Sequence, residues 1–129
     1  MLKPFALLIA LSSPAFAQMT GEEFDAYVTG RTLTYSDQGV IYGIEEYLPN
    51  RRVRWAFLGD QCRDGYWYDT DGQICFVYED RPDQPQCWEF NDDGGRLSAK
   101  FVGDPDGREL YEVQRSEEPM VCLGPDVGV

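Results

Sequence analysis

Four cysteines are the most reactive side chains in this sequence, and they lie at positions 62, 75, 87 and 122. An even number of cysteines in a small domain of an oxidising compartment is typical of disulfides. The alternative is a metal site built from all four thiolates, but such sites usually contain a C-x-x-C pair, which this sequence lacks. The spacing therefore predicts two disulfides and no free thiol.

The sequence contains no histidine. This excludes Ser-His-Asp and Cys-His catalysis, as well as zinc and haem sites that need an imidazole ligand. No serine lies in a Gly-x-Ser-x-Gly nucleophile elbow. Neighbouring carboxylates, such as Glu45 and Glu46, are expected to be mostly solvated surface groups rather than a glycosidase pair. The sequence therefore predicts a protein without enzymatic activity and without a cofactor.

One acidic turn contains residues that could bind calcium. In the segment 104–109, the side chains of Asp104, Asp106 and Glu109 supply carboxylate oxygens, which calcium prefers. A complete EF-hand loop needs a further oxygen ligand before the glycine and a glutamate six residues after it, and neither is present. The same residue types are common in ordinary turns. These three residues are the calcium candidate, with a plain turn as the alternative.

The basic residues Arg51, Arg52 and Arg54 form the only cationic cluster in an otherwise acidic chain. Guanidinium groups bind carboxylates and phosphates in a bidentate way, so this cluster is a candidate anion site. The alternative is local pairing with Glu45 and Glu46 across a β-hairpin.

The N-terminus has the three parts of a secretory signal peptide. Lys3 supplies a positive charge, residues 5–11 form an apolar run, and residues 15–17 place alanines at the two positions that signal peptidase recognises. The run is too short to span a bilayer, and no cysteine is present for a lipid anchor at the cleavage site. We expect removal of the signal peptide 1–17, export to the periplasm or beyond, and one mature domain over residues 18–129.

The mature domain is strongly acidic. Ten basic and 23 acidic side chains remain after residues 1–17 are removed, which gives a net charge of −13. A chain with this charge repels phosphate, so nucleic acid and anionic membrane surfaces are poor partners. A basic protein surface is a possible partner instead.

These residues must be positioned by a short helix followed by strands. Thr20 and Glu23 form a capping box, and Phe24 and Val28 share one helical face before Gly30. A helix of about nine residues is too short to be stable alone, so its apolar face must pack on something.

Beyond Gly30 the hydrophobic period changes to two residues, and turn residues recur about every ten residues. The pattern predicts eight strands, at residues 32–36, 40–48, 52–58, 66–70, 73–79, 86–90, 96–102 and 108–114. Short links predict antiparallel neighbours. The expected fold is therefore mainly β, an eight-stranded up-and-down barrel with the helix at one end, and a two-sheet sandwich is the alternative.

The alternation of apolar residues also predicts the inside of the barrel. One face of three strands is apolar: Val53, Trp55, Phe57, Ile74, Phe76, Tyr78, Leu97, Ala99 and Phe101. The many aromatic side chains would fill a narrow barrel, so a bound ligand is not required for stability.

The strand register selects one of three possible disulfide pairings. Cys75 and Cys87 are equally far from the loop between their strands, so they should face each other. With Asp71-Gly72 as a hairpin turn, Cys75 opposes Tyr68, and Cys62 lies about 20 Å further along the strand. The prediction is Cys75–Cys87 and Cys62–Cys122, with the C-terminal tail running back along the barrel wall.

Two motifs give the chain its resemblances. Gly65-Tyr66-Trp67 is similar to the Gly-x-Trp motif of the lipocalins, in which the tryptophan packs across the base of the barrel. Together with Cys75, Cys87 and Trp88, this motif resembles a group of short periplasmic or secreted bacterial proteins of unknown function, over about residues 24–90. The first resemblance implies a lipocalin-like barrel, and the second implies no activity.

We expect an exported, non-enzymatic barrel that serves as a binding or structural module. Its partner is unknown, and a small apolar ligand in the barrel is one possibility. The alternative is a periplasmic inhibitor of a basic enzyme, lysozyme or a protease, that uses the acidic surface. Small periplasmic inhibitors are similar in size, disulfide content and architecture, but their inhibitory loop motifs are absent from this sequence.

Overall fold

A computed structural model of the protein describes residues 1–10, 18–103 and 106–122. Within these residues the chain forms one helix, α1 (Gly21–Val28), and eight strands: β1 (Thr32–Asp37), β2 (Val40–Leu48), β3 (Arg52–Phe57), β4 (Arg63–Thr70), β5 (Gln73–Tyr78), β6 (Gln86–Asp92), β7 (Leu97–Phe101) and β8 (Glu109–Ser116). Each strand pairs antiparallel with the next, and β8 pairs with β1 to close a barrel. The predicted fold class is confirmed.

The strand bounds agree with the prediction to within two residues except at β4. This strand begins at Arg63 rather than at Tyr66, because the residues before Tyr66 continue the ladder with β3. Gly65 precedes the predicted strand 66–70, but in the structure it lies inside β4. A side chain at this position would collide with the carbonyl group of Val77 on β5, so glycine permits the close pairing of β4 and β5.

The helix α1 closes one end of the barrel. Its capping box is formed: Thr20 Oγ1 accepts from the Glu23 N–H, and Glu23 Oε1 accepts from the Thr20 N–H, both at 3.1 Å. Phe24 is fully buried, and its ring centroid lies 4.5 Å from that of Phe90 and 5.0 Å from that of Trp67. We call this the closed end.

A buried carboxylate fastens α1 to the barrel wall. The Tyr27 hydroxyl donates to Glu112 Oε1 at 2.6 Å, and the Leu97 N–H donates to the same oxygen at 3.0 Å. Arg115 Nε donates to Glu112 Oε2 at 2.7 Å. The carboxylate therefore has both a cation and two neutral donors, which is what a buried charge requires.

The opposite end of the barrel, which we call the open end, carries four connections: those between β1 and β2, β3 and β4, β5 and β6, and β7 and β8. A β-bulge shapes this end. Tyr35 pairs with Gly43 and Ser36 pairs with Ile41, so Tyr42 is an extra residue in β2. A bulge re-aims side chains, and here it allows Tyr42 to join the aromatic residues at the mouth of the barrel.

Both predicted disulfides are present. Cys75 and Cys87 are directly opposite in the β5–β6 ladder, and their Cα atoms are 3.9 Å apart. Cys62 and Cys122 are also bonded, with a Cα–Cα distance of 5.4 Å. Because β8 ends at the closed end and Cys62 precedes β4 at the open end, residues 117–122 run back along the wall. Thr32 Oγ1 donates to the Glu118 carbonyl at 2.6 Å on this path.

No helix in the described part of the chain is both long and apolar enough to cross a membrane.

Candidate functional site

The barrel interior contains a cavity of about 40 Å³ near the open end. The closed half of the interior is filled by side chains that include Phe24, Leu33 and Trp67. Aromatic side chains dominate the cavity lining: Tyr35, Tyr42, Tyr47, Trp55, Phe57, Phe76, Tyr78, Trp88 and Phe90. The predicted inward residues Trp55, Phe57, Phe76 and Tyr78 are therefore placed in the lining.

One carboxyl group projects into this aromatic cavity. Glu45 is only 2% exposed, and its two carboxyl oxygens accept from the Tyr78 hydroxyl at 3.0 and 3.1 Å. Burial raises the pKa of Glu45 well above its ordinary value, and the hydrogen bond from Tyr78 partly opposes this. The expectation that Glu45 is a solvated surface group is wrong.

Two further tyrosines bring their hydroxyl groups to the interior. The Tyr35 and Tyr47 hydroxyl oxygens are 2.7 Å apart and share a hydrogen bond. Tyr78 is partly exposed as a residue, but its hydroxyl is enclosed, and burial raises the pKa of all three phenols. The interior is therefore a mixed site, with aromatic walls and several oxygen atoms.

Three rings are grouped at the mouth of the cavity. The centroid of Trp55 lies 5.7 Å from that of Tyr42 and 5.4 Å from that of Phe57, and the Tyr42 and Phe57 centroids are 5.3 Å apart. Trp55 is also the cross-strand partner of Glu45. We call Tyr42, Trp55 and Phe57 the mouth triad.

A wider groove lies immediately outside the cavity. Its volume is about 440 Å³, and it shares Tyr42, Gln86 and Trp88 with the cavity lining. Two arginines, Arg81 and Arg108, line this groove but not the cavity. Arg108 stacks on the Tyr42 ring at 4.8 Å and lies 3.4 Å from an Asp37 carboxylate oxygen. The cavity and the groove together form the candidate binding site.

Two of the predicted anion-site arginines, Arg51 and Arg54, contact carboxylates of this chain in the structure. Arg51 bonds to Asp69 at 2.6 Å and lies 4.3 Å above the Trp67 ring. That ion pair lowers the pKa of the Asp69 carboxyl.

The other two arginines of this cluster lie along the wall of the barrel. Arg54 Nε contacts Asp64 at 2.9 Å, and its guanidinium lies 3.8 Å from Glu46. Arg52 lines a separate surface groove that also includes Asp64 and Tyr66. The expected pairing across the hairpin therefore forms between Arg54 and Glu46 but does not involve Glu45, and an anion site at these arginines stays a prediction.

The calcium candidate is described only in part. Asp104 lies outside the described residues, while Asp106 and Glu109 are exposed near the start of β8. In the described part of the chain no group of three or more acidic, cysteine or histidine side chains is arranged to hold a metal ion. Calcium binding at Asp104, Asp106 and Glu109 stays a prediction.

Sequence reasoning missed Glu45, although a signal for it was present. Val53 and Trp55 were predicted to point inward, and the short link to β2 places Glu45 opposite Trp55 on the same face. The charge of Glu45 is typical of a surface residue, whereas the two-residue period places it inside the barrel, and in the structure the period decides.

The fold and the site define a small, closed, eight-stranded antiparallel β-barrel with two disulfides and an aromatic cavity at one end. No known protein family, curated protein or solved structure matches this chain.

Proposed function

We propose that this protein is an exported, non-enzymatic binding module whose ligand is a small molecule that enters the barrel at the open end. The observation that carries this proposal is the aromatic cavity, which is closed by α1 on one side and continuous with a wider groove on the other. Concave, mostly apolar sites with a few polar groups are typical of small-molecule binding. A closed barrel of eight strands is also wide enough to hold one small ligand.

Export to the periplasm or beyond is part of this proposal. It is supported by the signal-like residues 1–17 and by the two disulfides, which persist in oxidising compartments. Residues 11–17, which contain the expected cleavage site, lie outside the described residues.

The absence of enzymatic activity is also proposed. It is supported by the lack of histidine and by the engagement of all four cysteines in disulfides. Panels of glycosidase, esterase and peptidase substrates should give no rate above the blank. An activity that is lost on substitution of a single carboxylate would refute this part of the proposal.

Binding can be tested with two matched alanine variants. Ala99 and Ala56 are both buried in strands, but only Ala99 lines the cavity. Because Trp55 and Trp88 line the cavity, tryptophan fluorescence should report binding from a library of small amines, alcohols, acids and aromatic compounds. We expect Ala99→Val to weaken binding of any hit at least about tenfold, because the added methyl groups occupy the cavity.

Ala56→Val is the control and should leave that binding within about twofold, after both variants are shown to be folded. No hit from the library, or equal losses in both variants, would argue against a ligand site inside the barrel.

Inhibition of a basic enzyme is kept as a second function because of one observation, the net charge of −13 after removal of residues 1–17. Association through an acidic surface weakens with salt. A pulldown from periplasmic and secreted proteins should then capture lysozyme or a protease at low salt and release it at high salt. Retention of that enzyme at high salt would contradict an electrostatic inhibitor.

A further inference from the structure

The chemistry of the cavity lining is asymmetric. Among the described residues, the lining contains one carboxyl group, Glu45, and three enclosed phenol hydroxyls, and no lysine or arginine. The only side chain in the lining that can carry a charge near neutral pH is therefore an acid. This lining can pair a cation with a carboxylate, whereas an anion would meet only the neutral donors of the phenols and of Gln86.

The aromatic rings add to this preference. The faces of tryptophan, tyrosine and phenylalanine rings carry negative electrostatic potential and attract cations, and the attraction is larger where water is excluded. The mouth triad lies beside Glu45, since Trp55 is its cross-strand partner. A carboxylate next to grouped aromatic rings is the combination that recognises ammonium ions.

The size of the cavity limits the ligand. About 40 Å³ is enough for a few non-hydrogen atoms, such as an ammonium head and its first carbons. The wider groove of about 440 Å³ can hold the remainder of a longer molecule. The geometry therefore fits a slender ligand that enters head first.

We propose that the barrel binds a small primary alkylammonium ion, with its nitrogen at the Glu45 carboxylate and its methylene groups against the mouth triad. This proposal rests on the proposed binding function, and it adds the chemical class of the ligand. Three arginines flank the mouth from outside the cavity: Arg81 and Arg108 line the outer groove, and Arg63 lies 5.5 Å from the centroid of Phe57. Arg108 is paired with Asp37, and Arg63 with Asp60 and Asp80, so these two charges are already balanced by carboxylates.

Binding at this site must be coupled to a proton. The raised pKa of Glu45 keeps a proton on its carboxyl to higher pH than in water, and a bound ammonium ion favours the ionised form. The titratable groups that face Glu45 in the lining are all phenols: Tyr35 on β1, Tyr42 and Tyr47 on β2, and Tyr78 on β5. Among the described residues, strands β3, β4 and β6 to β8 contribute no titratable group to the lining. Arg63 on β4 lies over the Phe57 ring outside the cavity, and Glu112 on β8 bonds to Tyr27 of α1 and to Arg115. Ammonium binding should therefore release a proton from Glu45.

The test compares three probes of nearly equal size on the oxidised protein: n-butylammonium, 1-butanol and butyrate. Titration calorimetry at neutral pH should show n-butylammonium binding at least about tenfold more tightly than 1-butanol, with butyrate weakest. Repeating the titration in buffers of different ionisation enthalpy should reveal proton release. A further probe, Nα-acetyl-lysine methylamide, carries the same primary ammonium group at the end of a lysine side chain. Comparing its affinity with that of n-butylammonium distinguishes a protein side chain from a free amine as the source of the group.

Glu45→Gln is the matched variant, since glutamine has almost the same shape and no charge. It should bind n-butylammonium and 1-butanol within about threefold of each other and should release no proton. If 1-butanol binds but the ammonium preference is absent in the unmodified protein, or is unchanged in Glu45→Gln, the ammonium assignment is wrong while the binding module survives. Preference for butyrate would likewise overturn it, and failure of every probe and of the wider library would overturn the binding function itself.

Discussion

Glu45 is an energetically costly residue for its place in the fold. A carboxyl group in an apolar interior loses its hydration, and the Tyr78 hydroxyl is the one hydrogen-bond donor that the described residues supply to it. By contrast, Glu112 is also buried but has two neutral donors and an arginine. Glu112 therefore has the partners of a structural carboxylate, whereas Glu45 accepts from a single phenol in the described structure, which is why we place Glu45 in the proposed site.

The first prediction concerns the pH dependence of stability at this residue. Because burial raises the pKa of Glu45, the unfolded chain releases this proton at lower pH than the folded protein does. Stability therefore falls as pH rises above the ordinary glutamate value, by up to about 1.4 kcal/mol per pH unit, until the raised pKa is passed. Glu45→Gln should abolish this pH dependence. The free energy of unfolding of the variant, relative to that of the unmodified protein, should therefore increase with pH in urea unfolding measured between about pH 4 and 8.

Glu22→Gln is the control, since Glu22 lies in water at the start of α1. A stability difference between Glu45→Gln and the unmodified protein that stays constant over this range would contradict the prediction.

At the scale of elements, α1 forms the base of the barrel, and its side chains are part of the hydrophobic core. It is only eight residues long, so its stability depends on the side chains that it buries. Phe24 fits between rings of the closed end, and Tyr27 and Glu112 join the helix to β8.

The second prediction follows from this packing. Phe24→Ala removes a fully buried ring and leaves a cavity among Tyr47, Trp67 and Phe90, so the free energy of unfolding should fall by about 3–5 kcal/mol. Urea unfolding followed by tryptophan fluorescence measures this loss. Glu22→Ala, on the exposed side of the same helix, should lower the free energy of unfolding by no more than about 0.5 kcal/mol. A loss below about 1 kcal/mol for Phe24→Ala would mean that α1 is not an integral part of the core.

Most elements of this fold could be predicted because their local signals agree with the tertiary structure. The capping box at Thr20 and Glu23, the Asp71-Gly72 turn and the two-residue period around Trp55 all depend on neighbouring residues. The extra residue Tyr42 could not be predicted, because a bulge is defined by the partner strand and leaves no local pattern.

Gly65 illustrates the same limit for β4. The same residue type marks turns and close contacts between strands, and only the presence of β5 decides between them. For the candidate site, the sequence supplied the aromatic lining but not the carboxyl group within it.

At the scale of the whole molecule, the two disulfides constrain very different lengths of chain. Cys75 and Cys87 are 12 residues apart, whereas Cys62 and Cys122 are 60 residues apart and connect the tail to the open end. The third prediction is that replacing the second pair by serines lowers stability by about 4 kcal/mol and replacing the first by about 3 kcal/mol in the chain-entropy model. Unfolding in urea under non-reducing conditions measures both.

The fourth prediction concerns the N-terminus. Met19 belongs to the barrel, since its N–H donates to the Phe90 carbonyl at 2.8 Å, while residues 1–10 are exposed. Cleavage after residue 17 would keep this contact. Intact-mass measurement on the periplasmic fraction should find a chain that begins at Gln18. A full-length chain recovered from the cytosol would refute export.

The bond between Cys62 and Cys122 also divides the molecule mechanically. If the chain is stretched from its two ends, tension passes through this bond and bypasses the 60-residue segment that it closes. Strands β4 to β8 belong to that segment, so among the described elements only α1 and β1 to β3 can unravel in the oxidised molecule. Reduction would add about 200 Å of extensible chain. In single-molecule stretching, the total extension on unfolding should therefore be longer by about 200 Å with a reductant than without one.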